Sequence, residues 1–329
     1  MNPPFLFEPP QHWRFSILDS NWLPEGQFFC LADAHIIGKR WGVNGDQYLY
    51  HQLQEVQGIT MGIVSIQVKQ FSLMRMRCLT DSCFLLYVLK GFSFVHLAGY
   101  GMLNLFSKTY SLQYVTADDH QLLLAPGLYH YLYILPGPLL SFLIQGHTAA
   151  ARMAGYLNEL YDKSYISAQL PLSNQIYNLL IELSFIENNT VKMAHKLRAI
   201  LSDLILCFHQ QTSNPIVLKT TADLHASMAL FTANHLRWPV PAIISALCNN
   251  FFMQPSTLRQ HWLRFAGCTP RKSLRQLRLY QAVYLLVVEK MNVTATADYL
   301  GFPHATHFSA QFLEQYKVTP SHAASLVAI

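Results

Sequence analysis

The stretch Leu300-Gly301-Phe302-Pro303-His304-Ala305-Thr306-His307-Phe308-Ser309-Ala310-Gln311-Phe312, followed by Val318-Thr319-Pro320, decides how this chain is read. Gly, Phe and Pro in sequence end one short helix and open another. Phe308, Phe312 and Tyr316 then recur every four residues, which puts three rings on one helical face. His304, Thr306, His307 and Ser309 fall on the outer side. Upstream, Asn292-Val293-Thr294 caps the preceding short helix. Two short helices with a tight turn, the second turning polar groups outward, form a helix-turn-helix pattern.

The same pattern occurs once more toward the N-terminus. Pro239 and Pro241 stand where a helix through Ile243, Ile244 and Leu247 would begin, and Asn249-Asn250 ends it. A second helix starts near Pro255, buries Leu258, Trp262 and Phe265, and stops at Gly267. Ser256, Thr257, Arg259, Gln260, His261 and Arg264 are left outside. Pro270 opens a long connecting helix, Arg271 to Glu289. Its first half carries Arg271, Lys272, Arg275 and Arg278, and its second half carries Ala282, Val283, Leu285 and Leu286.

Charge follows the same division. The net charge of +5 comes from 23 Lys and Arg against 18 Asp and Glu. From Arg237 onward stand nine basic residues and three acids, while the first 236 residues carry 14 basic and 15 acidic groups. The positive excess therefore lies entirely in the C-terminal part, as expected for a polyanion partner.

From Trp238 to Ile329 the chain resembles the AraC/XylS family of bacterial transcription regulators. The resemblance rests on Leu258…Trp262…Gly267-Cys268-Thr269-Pro270, on the basic connecting helix ending in Ala282 and Leu285-Leu286, and on the string quoted above. It implies two helix-turn-helix subdomains, about 239–267 and about 293–317, joined by a helix over 270–290. Each would place a recognition helix in successive major grooves. The family's base-facing positions fall on Ser256, Arg259 and Gln260 in the first motif, and on Ala305, Thr306 and Ser309 in the second. Arg259 has the fork to pair with guanine, and Gln260 the amide to pair with adenine. Thr257, Arg264, Arg271, Lys272, Arg275, Arg278, His304 and His307 are the phosphate candidates. Four positions depart from the family: Gln254 where Ser usually caps the first recognition helix, Phe252 where Gly usually makes the turn, and Ala310 and Leu313 where basic residues usually stand. The second reading head is thus expected to be poor in charge.

The N-terminal part reads differently. About Met61 to Ile144 contains short apolar runs such as Ile63–Val68, Phe84–Leu89 and Tyr129–Leu135, separated by Gly, Pro, Asp and Ser, which suggests a sandwich or small barrel. The first sixty residues show no clear pattern and are expected to be irregular. After Gly146 the period turns helical, with helices over Ala149–Tyr161, from near Pro171 through Leu183, and over Val191–Gln210. Gln211 to Pro215 is the candidate linker. The expected fold is α+β and multidomain: a β-rich, cupin-like N-terminal barrel over 1–147, a helical connecting region over 148–214, and an all-α DNA-binding domain over 215–329. The cupin-like assignment is implied by the resemblance.

Half of the residues are hydrophobic and 12% are charged, which excludes a disordered chain. Six cysteines show no CxxC pair and no ligand spacing, so neither disulfides nor zinc are expected. The N-terminus lacks a basic region followed by an apolar run, so no signal peptide is expected. Residues 121–151 carry no Lys, Arg, Asp or Glu, but Pro126-Gly127 and Pro136-Gly137-Pro138 cut them into pieces too short to span a bilayer. No membrane association and a cytoplasmic location are expected. His304 and His307 lack a third ligand. The N-terminal histidines (35, 51, 96, 120, 130, 147) contain no His-x-His pair such as a metal-dependent cupin enzyme needs. No Ser/His/Asp, P-loop or Gly-rich nucleotide signature is present, so no cofactor and no catalysis are expected.

The expected function is therefore sequence-specific DNA binding in transcription regulation, responsive to a small-molecule effector. Promoter DNA would be the main partner, with RNA polymerase a second partner if the protein activates. The helices between 149 and 210 fit either a homodimer interface or packing on their own barrel. The effector pocket is not identifiable from sequence. The competing expectation is a sensory or interaction protein whose second reading head is degenerate and whose DNA binding is weak or non-specific.

Overall fold

A computed structural model describes residues 3–10, 16–17, 29–32, 34–41, 46–140, 163–186, 191–213, 224, 227–228, 231–232, 234–266 and 268–328. The chain divides into two compact units, Met1–Asp223 and Leu224–Ala328.

The first unit contains strands β1 (Phe5–Glu8), β2 (Ser16–Ile17), β3 (His35–Trp41), β4 (Gln47–Val56), β5 (Ile59–Val68), β6 (Phe71–Cys78) and β7 (Ser82–Lys90). These are followed by β8 (Ser93–Leu97), β9 (Gly101–Leu105), β10 (Thr109–Val115), β11 (Asp119–Leu124), β12 (Gly127–Leu135), β13 (Tyr165–Ile166) and β14 (Leu170–Pro171). Two helices close the unit, α1 (Asn174–Ser184) and α2 (Val191–Ser213).

One sheet runs β1-β6-β11-β8-β9, and a larger one runs β13-β10-β7-β12-β5-β4-β3-β2, with β14 also on β10. Among the described strands the two sheets are not hydrogen-bonded into one closed barrel, which refines the barrel expectation to a sandwich. The larger sheet is buried on both faces. Along β12, Tyr129, Tyr131 and Tyr133 join Phe5, Met74 and Leu122 in the core shared with the smaller sheet. The alternate residues Leu132 and Ile134 pack with Ile176, Leu180, Leu183 and Phe208 of the helices. A strand covered on both sides reads as a continuous apolar run, as β7 and β12 do. Each such fully buried Leu, Ile or Phe stabilises the unit by roughly 1.5–3 kcal/mol relative to exposure.

Two expectations need correction. The first sixty residues are not irregular: β3 and β4 pair in full register within the larger sheet, from His35 opposite Leu53 to Trp41 opposite Gln47. Buried polar residues at alternate positions of β4 hide its pattern. Gln52 Oε1 accepts from the Leu31 N–H (2.7 Å), and Gln54 Nε2 donates to the Ala32 and Ile186 carbonyls (2.6 and 2.7 Å). His51 Nε2 is bonded to the Tyr133 hydroxyl at 2.8 Å, and burial with His35 nearby pushes its pKa down to about 3. The candidate linker Gln211–Pro215 is also not wholly a linker, because α2 continues through Ser213. The helix expected over Ala149–Tyr161 lies outside the described residues.

The second unit is helical: α3 (Val240–Asn250), α4 (Pro255–Ala266), α5 (Pro270–Val287), α6 (Val293–Tyr299) and α7 (Ala305–Tyr316). The Asn292 cap is the one read from the sequence, and Thr269 supplies a further one. Thr269 Oγ1 accepts from the Lys272 N–H and Asn292 Oδ1 from the Ala295 N–H (2.8 Å). Ile243, Leu247, Leu258, Trp262 and Leu274 form one core. Ala297, Phe308 and Phe312 of the second motif are fully buried, as is Leu285 of the connecting helix.

Candidate nucleic-acid interface

In the first motif α3 and α4 are joined by Phe251 to Gln254. Phe252 holds the left-handed conformation (φ 50°) and is 97% exposed. That is the position where the resemblance called for glycine, so the turn geometry is kept although a ring replaces the hydrogen. With Leu258 and Trp262 buried, α4 exposes Ser256, Thr257, Arg259, Gln260 and Arg264. All five side chains stand on the second helix of a helix-turn-helix, free to meet a groove.

In the second motif Gly301 has φ 70°, and a Cβ there would lie 2.5 Å from the Arg237 carbonyl oxygen. Only glycine satisfies both the backbone and the close approach. Arg237 reciprocates: its guanidinium lies 3.7 Å from the centre of the Tyr299 ring and bonds the Tyr299 hydroxyl. On α7, His304 occupies the N-cap without a side-chain bond, Thr306 and His307 are exposed, and Ser309 is half-buried. Ala310 and Leu313 are also exposed, so this outer face lacks the cations that α4 shows.

The connecting helix divides its basic residues among three tasks. Arg271 and Lys272 are exposed in its first turn, where no acid is present. Arg275 is half-buried and paired with Glu314 of α7. Arg278 is buried: its Nε donates to the Leu236 carbonyl at 2.7 Å and its Nη2 to the Trp238 carbonyl. Burial lowers its pKa from the ordinary value. This corrects the assignment of Arg278 to phosphate, because its donors already cap the turn preceding α3.

A cleft of about 520 Å³ brings several of these groups together. Arg271, Lys272, Arg275 and His307 line it with Phe302 and Gln311. Gln311, which sequence reasoning passed over, lies one turn beyond His307 and its Nε2 meets the His307 ring at 2.8 Å. Its i, i+4 spacing to His307 was the available signal. Residues of both motifs and the connecting helix thus face one cationic recess. Among the described residues no group of His, Cys, Asp and Glu is arranged to hold a metal ion. No helix there is long and apolar enough to cross a membrane.

Residues 247–325 match the family model described as a helix-turn-helix domain. The transcriptional activator RhaR of Cronobacter sakazakii is 33% identical over 81 residues, 25% of this chain and 29% of that protein. RhaS of Escherichia coli O157:H7 is 32% identical over 75 residues, 23% and 27% of the two chains. RhaR of Salmonella typhi matches at 24% over 151 residues, covering 45% of this chain and 53% of the relative. The chain thus spans under a third of the first two relatives and about half of the last. A fatty acid-bound structure of ToxT from Vibrio cholerae aligns over 83% of this chain and 97% of its own, at 13% identity and a TM-score of 0.32. At that score nothing about this chain follows from it. The C-terminal unit thus carries a helix-turn-helix domain similar to those of the RhaR and RhaS transcriptional activators.

Proposed function

We propose that this protein is a one-component transcription regulator that binds promoter DNA through its C-terminal unit and receives a signal through its N-terminal unit. The observation that carries this reading is the outer face of α4, where Ser256, Arg259 and Gln260 stand in line with Thr257 and Arg264. Ser256, Arg259 and Gln260 would read base edges. Thr257, Arg264, Arg271 and Lys272 would hold phosphates, with His304 and His307 serving the second motif. Thr306 and Ser309 are its base-facing candidates. The relatives are named as activators, which supports activation with RNA polymerase as a second partner. The exposed Tyr177 and Ile181 on α1, with the exposed Phe185 at its C-cap, support a homodimer.

The exposed Ala310 and Leu313 favour a second reading for one part: α7 contributes position and little sequence discrimination. Selection of genomic fragments by the purified full chain tests the whole proposal. Recovery of a shared motif that retains affinity when isolated supports it. Recovery of unrelated fragments, with or without added effectors, would overturn it.

A further inference from the structure

The space between the two sheets is filled, leaving about 50 Å³ among side chains such as Phe5, Val64 and Tyr133. That is room for a water molecule or two and no effector. A cavity of about 450 Å³, within the range of small-molecule sites, lies instead on the helix-covered face of the larger sheet. Its walls include Phe29, Leu89, Leu172 and Tyr177, the two rings meeting edge to face at 5.4 Å.

Three features give this apolar recess a sign. Lys90 and Lys108 both line it, and among the described residues neither has a carboxylate within ion-pair distance. The Lys108 backbone is fixed: it is left-handed (φ 61°), its N–H donates to the Val88 carbonyl, and its carbonyl accepts from the Leu172 N–H (2.7 and 2.8 Å). Second, Asn174 lines the cavity at the first turn of α1, an eleven-residue helix with no acid there and with N–H groups that have no intrahelical partner. Third, His130 lines the cavity and is only 4% exposed, yet its Nε2 has no hydrogen-bond partner. Its Nδ1 is bonded to Ser65 Oγ at 2.9 Å, and when that hydroxyl donates, Nε2 carries the proton. His130 stands opposite Lys90, where a register shift interrupts the β12–β7 ladder, a device that re-aims side chains.

We infer that this cavity is a binding site for a small monocarboxylate with a compact apolar body. The carboxylate lies among Lys90, Lys108 and the start of α1. The apolar body lies against Phe29, Leu172 and Tyr177. Burial, and secondarily Lys90, push the His130 pKa down to about 4, so its ring is neutral near pH 7 and leaves the charge of the recess to the two lysines.

Calorimetric titration of the full chain, without DNA, with 2-naphthoate and the neutral 2-naphthamide tests this, and its result does not depend on whether the protein binds DNA. The acid should bind saturably and about tenfold or more tighter than the amide, as charge-assisted hydrogen bonds require. Replacing both lysines (Lys90→Gln with Lys108→Gln) should reduce that preference to about twofold, and Lys90→Arg with Lys108→Arg should keep most of it. Both side chains are exposed, and an unchanged melting curve will show that the variants fold. Equal affinity for acid and amide, no saturable binding of either, or a preference that survives the Gln pair would overturn the inference.

Discussion

Arg278 and Leu236 are joined by a hydrogen bond of 2.7 Å that runs from a buried guanidinium to a backbone carbonyl. The same side chain reaches the Trp238 carbonyl, and the carbonyl of Arg237 between them rests on Gly301. Residues 236–238 are thereby held by the connecting helix and by the second motif together. Arg278→Gln leaves these carbonyls without a charged donor, and unfolding in urea should show a loss of about 2–4 kcal/mol. The salt dependence of DNA binding should not change. A stable variant whose salt slope falls would return Arg278 to the phosphate contacts.

Gly301→Ala adds a Cβ that meets the Arg237 carbonyl oxygen at 2.5 Å, on a backbone that already disfavours it. A destabilisation of about 1–3 kcal/mol is expected from the conformation alone, with more from the contact. Thermal unfolding checks this, and a neutral effect would show that the turn relaxes freely.

Phe252→Gly should act in the opposite direction. The ring is 97% exposed and gives little packing, while its left-handed backbone costs about 1 kcal/mol. The variant should be more stable by about that amount in the same urea titration. A loss of stability would mean that the ring has a partner in solution.

Stability of the N-terminal unit should fall with acid. His51 is buried and neutral with a folded pKa of about 3, below its ordinary 6.5, so the unfolded chain takes up the proton first. Its contribution is complete above about pH 6.5 and declines as pH drops toward 3. Between pH 7 and pH 5 the loss should be about 2 kcal/mol for this residue. In His51→Gln the pH slope of unfolding should be shallower by about one proton, and an unchanged slope would contradict the assignment.

The second unit was largely legible in the sequence because its signals are local. Pro255, Pro270, Asn292 and Gly301 mark ends, and Leu258/Trp262 and Phe308/Phe312 mark faces at spacing four. The larger sheet was legible only where its residues are apolar. β4 was missed because Gln47, His51, Gln52 and Gln54 are buried, and their hydrogen-bond partners come from residues far along the chain. Arg278 and Arg271 look alike in sequence, yet one is buried against carbonyls and the other is exposed. Helical periodicity places both on one helix but does not say which turn of it meets another element. The Lys90, Lys108 and His130 cluster likewise arises from strand pairing, which no short motif records.

The account rests on α4 being a reading head, and anisotropy titration of the full chain on its selected DNA site across 50–200 mM salt tests that most directly. With Arg264, Arg271 and Lys272 available to phosphates, log K should fall with log salt at a slope of about −3. Arg259→Ala should cost about 1–3 kcal/mol on the selected site and much less on a sequence changed at the base pair it reads. A slope near zero, or an equal loss on every sequence, would contradict the claim that α4 reads DNA.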